Sequence, residues 1–109
     1  MVTDVTDQEI MDAKAIVGRA GIGCEPASAA SVAGLKKFVE SGIIGKGERA
    51  VCIVTGHQLK SADATVGYHS LHGEELSKAF GNFNISKNPY ANPPVQVKND
   101  LEEILRALA

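Results

Sequence analysis

At 109 residues, with 44% apolar and 22% charged residues, the chain has the makeup of one ordinary globular domain near the small end for an independent core. Its net charge of −2, with the signs interspersed, offers no basic face to nucleic acid, and no apolar run is long enough to cross a membrane. Two cysteines are too few for a disulfide framework and no leader-like segment opens the chain, so a cytoplasmic setting is expected.

Val2 to Val5 reads as a short strand. Thr6-Asp7-Gln8-Glu9 then starts a helix, with Thr6 as N-cap, Glu9 closing a capping box, and Val5 and Ile10 placed as a hydrophobic staple. Ile10, Ala13, Ile16, Val17 and Ala20 keep helical spacing, and Gly21 suits the position just past the helix end. Ile22 to Glu25, bounded by Gly and Pro, reads as a short buried strand. Pro26 fits a first helical position, and a second helix runs from there to a stop at Ser41-Gly42.

Gly45 to Glu48 is a turn. Ala50 to Val54 is a continuous β-branched run, as expected of a strand covered on both faces of a parallel sheet. The order β-α-β-α-β predicts an α/β fold over residues 1–109: a short, mostly parallel sheet flanked by helices in three layers. Beyond Lys60 the signal thins. Short helices are expected at 62–71 and 74–80, an irregular loop at 81–94 and an edge strand at 95–97. A last helix, capped at Asn99-Asp100, carries Leu101, Ile104, Leu105 and Leu108 as its apolar stripe.

The start of the second helix is built from Ala27, Ser28, Ala29 and Ala30, small enough to bring a packed element or a ligand within backbone distance. Glu25 in front of it either caps the helix or orients a neighbour. Thr55-Gly56 closes the buried run at the end where open α/β sheets place ligands. Thr55 either caps the following turn or offers its hydroxyl to a bound group. A hydroxyl beside a heteroaromatic nitrogen does not hold it protonated as a carboxylate would, which suits a tempered pyridoxal phosphate site.

His57 lies at a pocket rim or is an ordinary hydrogen-bonded surface residue. Cys24 and Cys52 behave as small hydrophobes. His69 and His72 have no third ligand at sensible spacing, so no metal site is expected. Gly42 to Gly47 follows a helix rather than a strand and is a turn, not a phosphate loop.

Two stretches, Gly21-Ile22-Gly23-Cys24-Glu25-Pro26-Ala27-Ser28-Ala29-Ala30-Ser31-Val32-Ala33-Gly34 and Val51-Cys52-Ile53-Val54-Thr55-Gly56-His57-Gln58-Leu59-Lys60, together resemble the C-terminal part of the threonine synthase family. That family is one branch of the fold-type II pyridoxal phosphate enzymes. The ending Tyr90 to Val97 with its final helix is similar as well. Gln58 departs from the small residue usual there, Ser61-Ala62 replaces Asp-Pro, and the 70–88 region is longer than the pattern.

The resemblance implies that Thr55 bonds the pyridine nitrogen of the cofactor, with Gly56, Glu25, Ala27 and Ser28 on that side of the ring. It implies conversion of O-phosphohomoserine and water to threonine and phosphate by the complete enzyme. The family's Schiff-base lysine and phosphate-binding loop match nothing in this chain, which leaves no catalytic residue here. Weak or no cofactor binding, and no activity, are expected of the chain alone. Its partners would be the missing N-terminal portion and a second copy. The start at Met1-Val2-Thr3-Asp4 points to a cut or split protein, with an exposed apolar patch or an unpaired strand edge. The alternative is a free-standing, non-catalytic α/β module that binds a ligand or a partner.

Overall fold

Helix α1 (Asp7–Arg19) is the centre of the chain, and its start follows from two side chains. In a computed structural model describing residues 1–109, the Thr6 hydroxyl accepts from the Glu9 amide at 3.2 Å and the Glu9 carboxylate accepts from the Thr6 amide at 2.7 Å. Those bonds satisfy donors that every helix N-terminus leaves free. The backbone bond from Thr6 also holds the Glu9 carboxyl below its ordinary range. The helix ends as the sequence predicts, with Gly21 in the left-handed region at φ 90° just past it.

Helix α2 (Pro26–Glu40) packs along α1 through small residues. Ala13 of α1 meets Cys24, Ala29 and Ala33, with Val5, Ile10, Val17 and Val32 around them. The opposite face of α1 is buried too: Met11 and Ala15 pack with Tyr68 and Ile85, flanked by Ala64 and Phe80. Tyr68 lies in α3 (Ala62–Ser70), which leads into α4 (Gly73–Ala79). Both helices fall where the sequence places them.

The loop after α4 is irregular, as expected, yet it is tied down by side chains. Gln8 of α1 accepts from the Ser86 and Lys87 amides and donates to the Lys87 carbonyl. The Asn88 amide donates to the carbonyls of Tyr68 and Leu71, at 2.9 Å each. Helix α5 (Leu101–Leu108) is capped by Asp100, whose carboxylate accepts from the Glu103 amide at 3.0 Å. Its Leu101, Leu105 and Leu108 are exposed.

The expected α/β sheet is absent. The chain is 54% helical, and its only β pairing is one antiparallel bridge between Cys24 and His57. Residues 2–5, 50–54 and 95–97 form no strands, and 22–25 contributes only that bridge. The physical reason lies in where the hydrogen bonds go. A helix satisfies its own backbone, whereas a strand needs a neighbour beside it.

Residues 50–54 make no backbone–backbone hydrogen bond. Val51 is 91% exposed and Ile53 74% exposed, against the fully covered strand their composition predicts. Met1 and Val2, beside Val51 and Cys52, edge an apolar groove over Leu35 and Phe38 of α2. The exposed apolar surface expected from the sequence is therefore present, but no strand forms to leave an unpaired edge. The radius of gyration, 15.8 Å, exceeds the ~13 Å of a compact domain this long, because apolar segments lie along the helices rather than inside a closed core. No helix is long and apolar enough to cross a membrane.

Candidate functional site

The site gathers where the end of the 50–57 segment meets the start of α2. Ser28, in the first turn of α2, is buried, and its hydroxyl oxygen accepts from the backbone amides of Thr55 at 2.9 Å and Gly56 at 3.0 Å. The Glu25 amide donates to the Gly56 carbonyl at 2.8 Å, beside the Cys24–His57 bridge. These three bonds moor an otherwise unpaired segment to the helix. Ser31, one turn on, donates to the Ile53 carbonyl at 3.3 Å.

The side chains form a second layer. The Thr55 hydroxyl lies 3.0 Å from Ser28 Oγ and donates to Glu25 Oε1 at 3.3 Å. Glu25 Oε2 lies 3.0 Å from Lys60 Nζ. Gly56 allows this arrangement, because the Glu25 carboxyl fills the space where a Cβ on Gly56 would stand.

The capping alternative that the sequence leaves open for Glu25 and for Thr55 is thereby removed. Glu25 occupies the N-cap position of α2 but makes no side-chain cap bond, so its carboxylate faces Thr55 and Lys60 instead. Thr55 does not cap the turn that follows it. His57 does, its Nδ1 accepting from the Leu59 amide at 3.2 Å ahead of a single 3-10 turn at Gln58–Ser61.

Of the five residues expected to line one side of a ligand, Glu25, Ser28, Thr55 and Gly56 are in direct contact, and Ala27 is exposed on the first turn of α2. Sequence reasoning missed Lys60 as the counter-charge of Glu25. The two are thirty-five residues apart, and no local pattern joins them.

The other titratable groups stand elsewhere. Cys24 is buried under the α1–α2 contact, and that burial pushes its thiol up, opposed by the nearby Lys14. Lys14 is itself buried, and desolvation lowers its ammonium below the usual range, against the pull of Cys24. His69 accepts from the Asn92 amide at 2.9 Å and, through burial and then Lys14, is held below the ordinary imidazole range. His72 lies against Asn88, and no group of three potential metal ligands assembles. Sequence reasoning also missed the hydrogen bond from Tyr68 to Asp12 at 2.6 Å, which joins α3 to α1.

The geometry thus gathers a hydroxyl, a paired carboxylate and a small-residue helix start at one place. No family model matches the chain. Among curated proteins, it is 57% identical to the threonine synthase of Methanocaldococcus jannaschii and 56% identical to that of Methanosarcina acetivorans. Each match runs over 63 residues, 57% of this chain and 16% of the relative. Threonine synthase 2, chloroplastic, of Arabidopsis thaliana is 31% identical over 108 residues, 99% of this chain and 19% of the relative. The chain thus resembles the C-terminal part of threonine synthases and spans 16–19% of the length of these relatives.

Proposed function

We propose that this chain supplies one wall of the pyridoxal phosphate pocket of a threonine synthase, the lyase that converts O-phosphohomoserine and water to threonine and phosphate. The observation that carries the proposal is the Thr55 hydroxyl, exposed at its segment end and fixed between Ser28 and Glu25. Its chemistry fits the ring-nitrogen edge of the cofactor: one hydroxyl, with the neighbouring carboxylate already matched by Lys60. It does not fit the cofactor phosphate. The two amides at hand, those of Thr55 and Gly56, are both spent on Ser28.

The cofactor, when bound, supplies an electron sink for bonds at the substrate's reacting carbons. The work of this chain is to bind and orient. Ser28 holds the backbone of Thr55 and Gly56, Thr55 presents its hydroxyl, and Ala27 leaves room at the first turn of α2. Gly56 lets Glu25 stand close without contact from a side chain. The attachment lysine and the phosphate site belong to the longer part of such an enzyme. That part would cover the apolar segment 50–54, and a second copy would complete a homo-oligomer. Two unpaired thiols, Cys24 and Cys52, suit the reducing cytoplasm.

A chimera tests the proposal. This chain replaces the matching segment of the Methanocaldococcus jannaschii enzyme, and phosphate release from O-phosphohomoserine is followed. Retained turnover that falls about 10-fold or more with Thr55→Val is the expected result. A folded chimera that takes up no cofactor would overturn it. The chain alone, mixed with pyridoxal phosphate, is expected to give no visible band that borohydride fixes on one of its lysines.

A further inference from the structure

We infer that Lys60 is a positioning residue, which holds the Glu25 carboxylate in place as the acceptor of the Thr55 hydroxyl. The inference begins with an inventory of protons. A serine hydroxyl has one proton and two lone pairs. Both lone pairs of Ser28 are occupied, by the amides of Thr55 at 2.9 Å and Gly56 at 3.0 Å. The Ser28 proton therefore goes to the remaining neighbour, Thr55 Oγ1, at 3.0 Å. Thr55 is left to donate its own proton, and Glu25 Oε1 at 3.3 Å receives it. The other carboxylate oxygen of Glu25 faces Lys60 Nζ at 3.0 Å. The chain of bonds runs one way, from Ser28 through Thr55 to Glu25, with Lys60 closing it.

Lys60 has two effects on that chain. It pins the carboxylate against Gly56, where the missing side chain leaves space for it. It also shares the negative charge of Glu25. A ring acceptor that approaches Thr55 then competes for the hydroxyl proton with a carboxylate already paired, rather than with a bare one. An unpaired carboxylate next to a ring nitrogen would tend to keep that nitrogen protonated, which a hydroxyl does not do. Lys60 thus keeps Thr55, rather than Glu25, as the group that meets the ring. The identity of that ring rests on the function proposed above; the bond directions do not.

Lys60 is well suited to a test because its side chain is 66% exposed, against 17% for Glu25. Exposed ion pairs contribute little to stability, so the fold should survive its loss. The readouts, by nuclear magnetic resonance on the 109-residue chain, are the Thr55 side-chain rotamer from its couplings and the exchange rates of the Thr55 and Gly56 amides. Lys60→Met is expected to average the Thr55 rotamer and to speed exchange of both amides about two- to fivefold. Lys60→Arg is expected to restore both. Glu25→Gln keeps an acceptor near Thr55 but removes the ion pair, and should free the Lys60 ammonium while leaving the α1 cap signals unchanged. A Thr55 rotamer and amide exchange unmoved by Lys60→Met overturn the inference. Failure of the proposed function shows elsewhere: Thr55→Val leaves the cofactor spectrum of the chimera unaltered, whatever Lys60 does in the isolated chain.

Discussion

The α1–α2 pair and the 50–57 segment are made of similar apolar side chains, yet one is closed and the other open. Between the helices, Ala13, Ala29 and Ala33 are buried although each offers little surface. Along the segment, Val51 and Ile53 offer far more and bury little of it. Apolar area stabilises only where something covers it. Helices bring their hydrogen bonds with them and can pair as soon as two faces match. The segment waits on a neighbouring backbone, and Ser28 and Ser31 give it only a few points of attachment.

Substitutions on the two sides should separate them. Ala29→Leu forces a larger side chain into the fully buried α1–α2 contact and should cost about 1–3 kcal/mol, read as a lower midpoint in thermal or denaturant melting. Ser28→Ala removes the acceptor of two amides, a loss of about 1–3 kcal/mol if both stay dry. That loss should be local: faster amide exchange at 55 and 56, with less change in α1 than Ala29→Leu produces.

Tyr68→Phe tests the α1–α3 side, where it leaves Asp12 without the hydroxyl, at about 1 kcal/mol. This site also has a pH signature. Burial, followed by the Asp12 bond, raises the Tyr68 phenol above its ordinary value of 10.0. A raised folded-state value means that the protonated form is the one the fold favours. Its contribution is complete below pH 10.0 and declines as pH climbs beyond that toward the folded-state value. The alkaline slope should flatten in the Phe variant when unfolding is followed against pH. Smallest of all, Ile53→Ala should shift the melting midpoint by the equivalent of no more than about 0.5 kcal/mol, since its side chain is largely in solvent. A larger loss would mean that the segment is covered in solution.

What could be read from the sequence follows the reach of each signal. The ends of α1 were legible because Thr6, Glu9 and Gly21 act within a few residues of themselves. The start of α2 at Pro26 and its stop at Ser41 were legible for the same reason. The strands were misread because a β-branched run such as 50–54 favours strand structure but forms a strand only beside a paired backbone, and none lies beside it. The site was legible by residue type but not by arrangement. Glu25, Ser28 and Thr55 were singled out, yet the Lys60 pair, the Ser28 clamp on two amides and the His57 cap all depend on contacts between distant positions or on exact turn geometry. Tyr68 and Asp12 were missed because a phenol and a carboxylate fifty-six residues apart leave no periodic trace.

The open segment has one further consequence, for handling the protein. Proteases bind their substrates as extended strands, adding main-chain bonds along an edge. Residues 50–54 have no backbone–backbone hydrogen bonds to break, whereas bonds inside the helices would first have to unwind. Arg49 stands directly in front of them, exposed after the Gly45–Glu48 turn. In a brief tryptic digest the Arg49–Ala50 bond is the natural first nick, separating the α1–α2 pair from everything that follows.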